Sequence, residues 1–464
     1  MTHLVTIRKL VYPLLVFVGV LLNACTTYAP VQITPAVDLE GLQTKSLENV
    51  AVSVAILTDE ESGKHFGADL GSKGLQALWI SVRNGSPSRL WFIRNSVDAD
   101  FYSSDEAALL LRSEVSDSEY ERMRQHFRDE TIRVLLKPMT ITEGFIFLPR
   151  VEGGRYLDIR LAKDAYQLES RLESRVEQEE GTFNELRFGF PVPLPDGDFD
   201  YERLDTEHTY AGTEMPDIDL DMLRERLEQL PCCAADEDGQ THGDPLNLVM
   251  VGNSPDVLNS LSRSGWSFTH RITPGSVIRM AGATIEGKPY PVAPVSSLYL
   301  FDRKQDFALQ RARRNIAQRN HMRMWLAPFT YEGRQVWVGQ VSRDIGIRIT
   351  PKSPSLTTHI IDPEVDLTRE YLLHSLLAEG FVDRFGFVTG SKQAPITEPA
   401  ENLMGDLYFS DGMRLIIILS PHPIPYSRVR SLVWEESASP VAEGQTDAAD
   451  RYVRPIETLE NDLN

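Results

Sequence analysis

Cysteine is scarce: the 464 residues hold three, and two of these, Cys232 and Cys233, are adjacent. A disulfide-stapled scaffold is thereby excluded, and with no CxxC pair and no histidine at zinc-ligand spacing a zinc site is not expected. A vicinal disulfide, a bond between chains and free thiols all stay open for the pair. Positive charge is also short, 47 Lys and Arg against 67 Asp and Glu, for a formal charge of −20. That balance argues against nucleic acid as a partner and disfavours broad docking on anionic membranes. Beyond the N-terminus no apolar run is long enough to span a bilayer, and the strongest, LIIIL at 415–419, reads as a buried strand. There is no internal repeat, phosphate-binding loop, helix-turn-helix pattern or nucleophile elbow, so no motif names a reaction.

What the chain does have begins at its start. Arg8 and Lys9 precede the apolar run LVYPLLVFVGVLL at 10–22, which is too short for a span and has the shape of a secretory signal. The run ends in Leu22-Asn23-Ala24-Cys25, which resembles the bacterial lipoprotein box. The resemblance implies cleavage before Cys25, lipidation of its thiol, and stable attachment by several acyl chains. Thr26 stands where an aspartate would retain such a protein at the inner membrane. The implied address is the outer membrane, facing the periplasm or the cell surface.

Residues 1–24 therefore read as signal peptide and 25–47 as a polar tether, with a β-rich domain over 48–195. VAVSVAIL (50–57), LQALWISVRN (75–84) and SRLWFI (88–93) are β-branched and aromatic strands, and Asn84-Gly85 is a turn signal. SSDEAALLLRS (103–113) and SDSEYERMRQHF (116–127) have the serine-and-acid starts of capped helices. Two strand groups with a helical insert and no βαβ rhythm predict an immunoglobulin-like β-sandwich. Residues 196–242 read as an acidic linker carrying one short amphipathic helix at 218–230. Within it Asp196, Asp198, Asp200 and Glu207 echo a calcium loop, but Tyr201 fills the position that needs glycine. The acidic, core-poor segment 435–464 predicts a disordered tail.

Residues 243–434 read as a second, α+β domain. PLNLVMVG (245–252) is a strand, after which Ser254 and Pro255 start a helix that Gly265 ends. DFALQRARRNIAQ (306–318) predicts a helix with a basic face. HMRMWLAPF (321–329) and RQVWVGQVSRDIGIRI (334–349) predict a long hairpin turning at Glu332-Gly333. His321, Arg323 and Trp325 share one face of it, and the expected parity puts Gly339 near Trp325 and Val341 near Arg323. Trp266, Trp325 and Trp337 are expected as core anchors.

Four segments of this domain, GDPLNLVMVG, APVSSLYLFDRKQDFALQ, HMRMWLAPFTYEGRQVWVGQVSRDIGI and HIIDPEVDLTREYLL, cover most of 243–380. Together they resemble the LssY-like C-terminal domain. Members of that family stand behind lipoprotein signals, or behind DedA-like and phosphatidic-acid-phosphatase-type membrane domains, and the family carries no established activity. The polar residues that match its pattern are Arg303, Asp306, His321, Arg323, Asp344, His359, Asp362, Asp366 and Arg369.

One reading gathers these residues in a cleft. His321 and His359, with Asp362 or Asp366, would bind a divalent metal or move a proton, and Arg303, Arg323 and Arg369 would grip an anionic group. The other reading makes Asp362-Pro363-Glu364 a helix start capped by the aspartate, and Asp366 with Arg369 an intrahelical pair. Ser342 with His321 and Asp344 suggests a nucleophile, but on a strand rather than a strained turn. No catalytic residue is assigned, the metal is undefined and no cofactor is expected. The expected function is an envelope role, binding a partner protein or an anionic ligand through the C-terminal domain. The alternative is a hydrolase for phosphate- or lipid-derived substrates.

Overall fold

In a computed structural model of the chain, the described residues are 28–32, 39, 41–151, 155–163, 185–192, 206, 208–286, 290, 292–312, 318–349, 357–390, 393–421 and 423–435. The signal peptide, Cys25, the calcium-loop positions Asp196, Asp198, Asp200 and Glu207, and the tail beyond residue 435 lie outside them. The fold is mixed α+β and rich in strands, in two units: residues 1–151 with 157–195, and residues 152–156 with 196–464.

Unit 1 holds β1 (Gln43–Leu47), β2 (Val50–Ile56), α1 (Asp59–Phe66), β3 (Leu75–Asn84), β4 (Leu90–Phe92), α2 (Ser104–Leu110), α3 (Asp117–Glu130), β5 (Leu135–Leu136), β6 (Thr140–Pro149), β7 (Arg155–Lys163) and β8 (Glu185–Val192). They form two four-stranded sheets, ordered β1-β2-β3-β6 and β5-β4-β7-β8. The period-2 pattern of strands sorts the side chains of the first sheet. Val52, Val54, Ile80 and Val82 join Leu157, Ile159, Phe188 and Phe190 of the second sheet in one apolar cluster. Ala55, Ala77 and Trp79 face the other way, onto Phe66, Met123 and Phe127 of the helices. The unit is thus layered helices, sheet, sheet. Helices α2 and α3 form where serine-and-acid starts predict them, α2 through a reciprocal Ser103–Glu106 capping box. Helix α1 was not anticipated, although Thr58-x-x-Glu61 closes the same box. Asn84 ends β3, and its buried amide donates to Ser88 O and Lys137 O rather than turning a hairpin within the sheet.

Unit 2 holds β9 (Asp217–Ile218), α4 (Leu220–Glu228), β10 (Cys233–Ala235), β11 (His242–Pro245), β12 (Leu248–Val251), α5 (Ser254–Arg263), β13 (Ser267–Phe268), α6 (Pro274–Glu286), β14 (Tyr299–Leu300) and β15 (Arg303–Lys304). It continues with β16 (Phe307–Ala312), β17 (Arg319–Tyr331), β18 (Arg334–Ile349), β19 (Thr357–Ile361), α7 (Asp366–Ala378), β20 (Val382–Thr389), β21 (Ala400–Glu401), β22 (Leu407–Tyr408), β23 (Met413–Leu419) and β24 (Arg430–Ser431). The main sheet runs β13-β16-β17-β18-β12-β23-β20-β24, with β19 added on β18 and β9 on β17. At its centre the fully buried β12 lies antiparallel to β18 and parallel to β23, the strand that carries LIIIL.

Four expectations change here. The described part of 306–318 does not form the expected helix: residues 307–312 pair with β17 as β16, burying Phe307 and Leu309, and 313–317 lie outside the described residues. Ala, Leu, Gln and Arg favour helices locally, but pairing along a buried strand outweighs that preference. The hairpin register also slips. Met324, not Trp325, stands opposite Gly339, because two extra residues enter β17 between Leu326 and Thr330, around Pro328, which has no N–H to donate to the ladder. The predicted linker is structural from Asp217 on: Leu223 and Leu227 of α4 pack with Val249, Val336 and Ile416. Finally, α7 starts at Asp366 after Val365, so Asp362 does not cap it; Asp362 extends the β18 ladder through its N–H to Arg343 O and accepts from Glu364 N.

Candidate functional site

The β17–β18 hairpin carries two kinds of surface on one face. Trp325, Val336 and Val338 lie in the apolar cluster under α4. Farther along the same alternation come Arg319, His321 and Arg323, facing Asp344, Ser342 and Gln340 across the ladder. All six are buried, with Gln310 of β16 beside them. A buried charge is costly unless paired, and here a dense polar network supplies the pairs.

Asp344 is the hub. Its Oδ1 lies 3.0 Å from His321 Nε2, while its Oδ2 takes a 2.9 Å hydrogen bond from Arg319 Nε and lies 3.3 Å from His359 Nδ1. Burial pushes this carboxyl upward, but His321, His359 and Arg319 outweigh that and hold it far below the usual carboxylate range. His359, on β19, is pushed down to about 4 by burial, against the pull of Asp344. Arg319 also donates to Gln310 Oε1 at 2.6 Å. Arg323 donates to the carbonyl and hydroxyl oxygens of the exposed Ser296, at 3.0 and 3.1 Å. Gln340 turns its amide nitrogen to Asp244 Oδ2 at 2.8 Å and offers its oxygen to Arg323 at 2.5 Å. Asp244 in turn accepts from Ser342 Oγ and Asn402 Nδ2.

The serine–histidine–aspartate arrangement fails on wiring. A nucleophile and an orienting carboxylate need opposite ring nitrogens, but Ser342 Oγ and Asp344 both approach His321 Nε2. Arg323 approaches Nδ1 at 3.4 Å and can only donate, so the ring proton sits on Nε2 and that atom cannot take one from Ser342. His359 is arranged differently. Its Nδ1 lies 3.3 Å from Asp344 Oδ2, an ion-pair distance rather than an aligned hydrogen bond, and about a fifth of the side chain (20 %) is exposed, so a carboxylate stands beside an imidazole that reaches solvent.

His321, His359 and Arg323 thus come together, though around Asp344 rather than Asp362 or Asp366. Asp366 accepts from Ser410 Oγ and Asp411 N, and burial raises it to about 6 despite Arg369 nearby. Arg369 is fully buried in a bidentate pair with Asp411, both bonds 2.9 Å, and 3.4 Å from Asp366. Arg303 pairs with Asp306 and Leu326 O. Neither arginine joins the network. Sequence reasoning missed Arg319, Gln310 and Gln340; extending the His321–Arg323 alternation two residues back reaches Arg319, but the helix expected over 306–318 hid its neighbour strand. Trp266, Trp325 and Trp337 are all buried. Cys232 and Cys233 are bonded to each other, which leaves no thiolate for a metal. The β10–β11 hairpin nonetheless brings His242 within reach of both sulfurs, a proximity that sequence spacing did not reveal.

The fold and this site define a strand-rich α+β protein with a basic, hydrogen-bonded lane along one central hairpin. Residues 225–413 match the family model described as LssY C-terminus, so the chain carries an LssY-like C-terminal domain. No curated protein matches the chain. Among the described residues no helix is long and apolar enough to cross a membrane.

Proposed function

We propose that the protein is a lipid-anchored component of the cell envelope, attached to the outer membrane through Cys25, whose LssY-like domain binds an anionic ligand or an anionic patch on a partner protein. One observation carries the binding reading: Arg319, His321, Arg323 and His359 gather on one sheet face around the hub Asp344. Guanidinium groups held in fixed planes suit phosphate and carboxylate, and the lane meets solvent at Ser296 and His359. In unit 1, two four-stranded sheets closing on one apolar cluster support an immunoglobulin-like sandwich, although β1-β2-β3 run as a meander rather than a Greek key.

The test uses the full-length chain in detergent, titrated calorimetrically with inorganic phosphate and with a short-chain phosphatidic acid. Saturable binding is expected, weakened about tenfold or more in Arg323→Lys, because an ammonium cannot reproduce the planar fork. No saturable heat with either probe overturns the anionic-ligand reading and leaves a partner protein, sought by crosslinking in intact cells. Anchoring is tested by labelled palmitate, which Cys25→Ser should fail to incorporate.

The Asp344–His359 pair favours a second reading, a hydrolase acting on a phosphate- or lipid-derived substrate with His359 as general base. Turnover of a phosphate ester or carboxylic ester that falls at least about a hundredfold in His359→Gln would support it. No turnover, or unchanged turnover in the variant, removes it.

A further inference from the structure

Unit 1 holds a second histidine cluster, unrelated to the lane. His65 comes from the last turn of α1, while His126 and Glu130 stand one turn apart on α3 and so share a face. Glu130 Oε2 lies 3.0 Å from His65 Nε2, and Oε1 lies 3.7 Å from His126 Nε2. All three side chains offer ligand atoms within 4.8 Å of one another. Tetrahedral bonds of about 2.1 Å give ligand-to-ligand edges of about 3.4 Å, and the two separations, each to a different oxygen of Glu130, are close to that length.

The surroundings are those of a metal site rather than of a plain ion pair. Tyr28 OH bonds His126 Nδ1 at 2.7 Å, leaving Nε2 as the nitrogen aimed inward. Tyr28 is itself held, its N–H donating to Glu119 Oε1 at 3.0 Å, and Gln32 hydrogen-bonds Glu130. The aromatic rings of Phe66, Phe127 and Phe145 back the cluster. At 3.7 Å, His126 Nε2 is beyond hydrogen-bond reach of Glu130, a gap that a shared cation closes. His126 and Glu130 are partly exposed, which leaves room for water at a fourth position.

We propose that His65, His126 and Glu130 bind one divalent transition metal of the Zn2+ class, with Tyr28 as the outer residue that positions His126. Two imidazoles and a carboxylate suit zinc, and the ion would clamp α1 to α3 beneath segment 28–32.

The experiment takes full-length protein in detergent, stripped with chelator and titrated with zinc chloride. A Cys232→Ser/Cys233→Ser background removes the thiolates that reduction of the Cys232–Cys233 bond would release beside His242, the only other such cluster among the described residues. One Zn2+ per chain is expected in that background. His126→Gln and Glu130→Gln should each weaken it more than about a hundredfold, and Tyr28→Phe about tenfold or more. Far-UV circular dichroism confirms that each variant is folded, and Glu130→Gln serves if His126→Gln is not. Absence of stoichiometric zinc in the serine background, or unchanged affinity in the folded ligand variants, overturns the proposal.

Discussion

Asp344 stays ionised in the interior because Arg319 and two imidazoles surround it, and burial makes one of these, His359, resist taking a proton. Its folded value of about 4 lies below its ordinary 6.5, so the folded state prefers the neutral ring. The stability this contributes is whole above pH 6.5 and drains as pH falls toward 4, by up to roughly 3 kcal/mol. Asp366 works in the opposite sense: raised to about 6, it favours the fold below its ordinary 3.8 and loses that contribution as pH rises through 6. Over pH 4 to 6.5 the two contributions oppose each other, so urea denaturation should show a nearly level stability in wild type and one that falls with rising pH in His359→Gln. Parallel curves would mean that burial does not depress His359. At this scale His321, Arg323 and His359 were readable as polar residues on alternating or pre-helical positions. Their meeting at Asp344 was not, since it depends on which strand lies beside which.

Among the elements, the β17–β18 hairpin places the lane, and its register depends on two features. The extra residues around Pro328 set which pairs face each other, and Gly339 lets β17 and β18 approach. A Cβ on Gly339 would meet Met324 Sδ at 2.3 Å and the backbone oxygen of Arg323 at 2.9 Å. The thioether can swing aside but the backbone cannot, so Gly339→Ala should destabilise unit 2 by about 2 kcal/mol. A urea midpoint equal to wild type would contradict this. Alternation alone revealed the hairpin and which residues share its face, because the period of a strand is fixed. The bulge was not legible, because a strand can shed ladder bonds at a proline in several ways. Helix α7 teaches a similar lesson: Asp-Pro-Glu looks like a cap, yet β19 runs on through Ile361 and delays the helix to Asp366.

At the scale of the whole molecule, each unit has apolar clusters of its own, so calorimetry should resolve two transitions. Ile80→Ala, which opens a cavity between the sheets of unit 1, should lower one of them, and Gly339→Ala the other. A single transition moved by both variants would show the units to be thermodynamically one. The order of β12 and β23 has a further consequence. These parallel neighbours form the middle of the large sheet, yet β12 is among the first strands of unit 2 to be synthesised and β23 nearly the last. Until Met413–Leu419 arrives, β12 presents an open, apolar edge of the kind that recruits other chains. A nascent chain must therefore keep its largest sheet unfinished, or shielded by a chaperone, until residues 413–419 are made. A fragment stopped at residue 413, where the family match ends, would retain the lane but lose the strand that closes the sheet behind it.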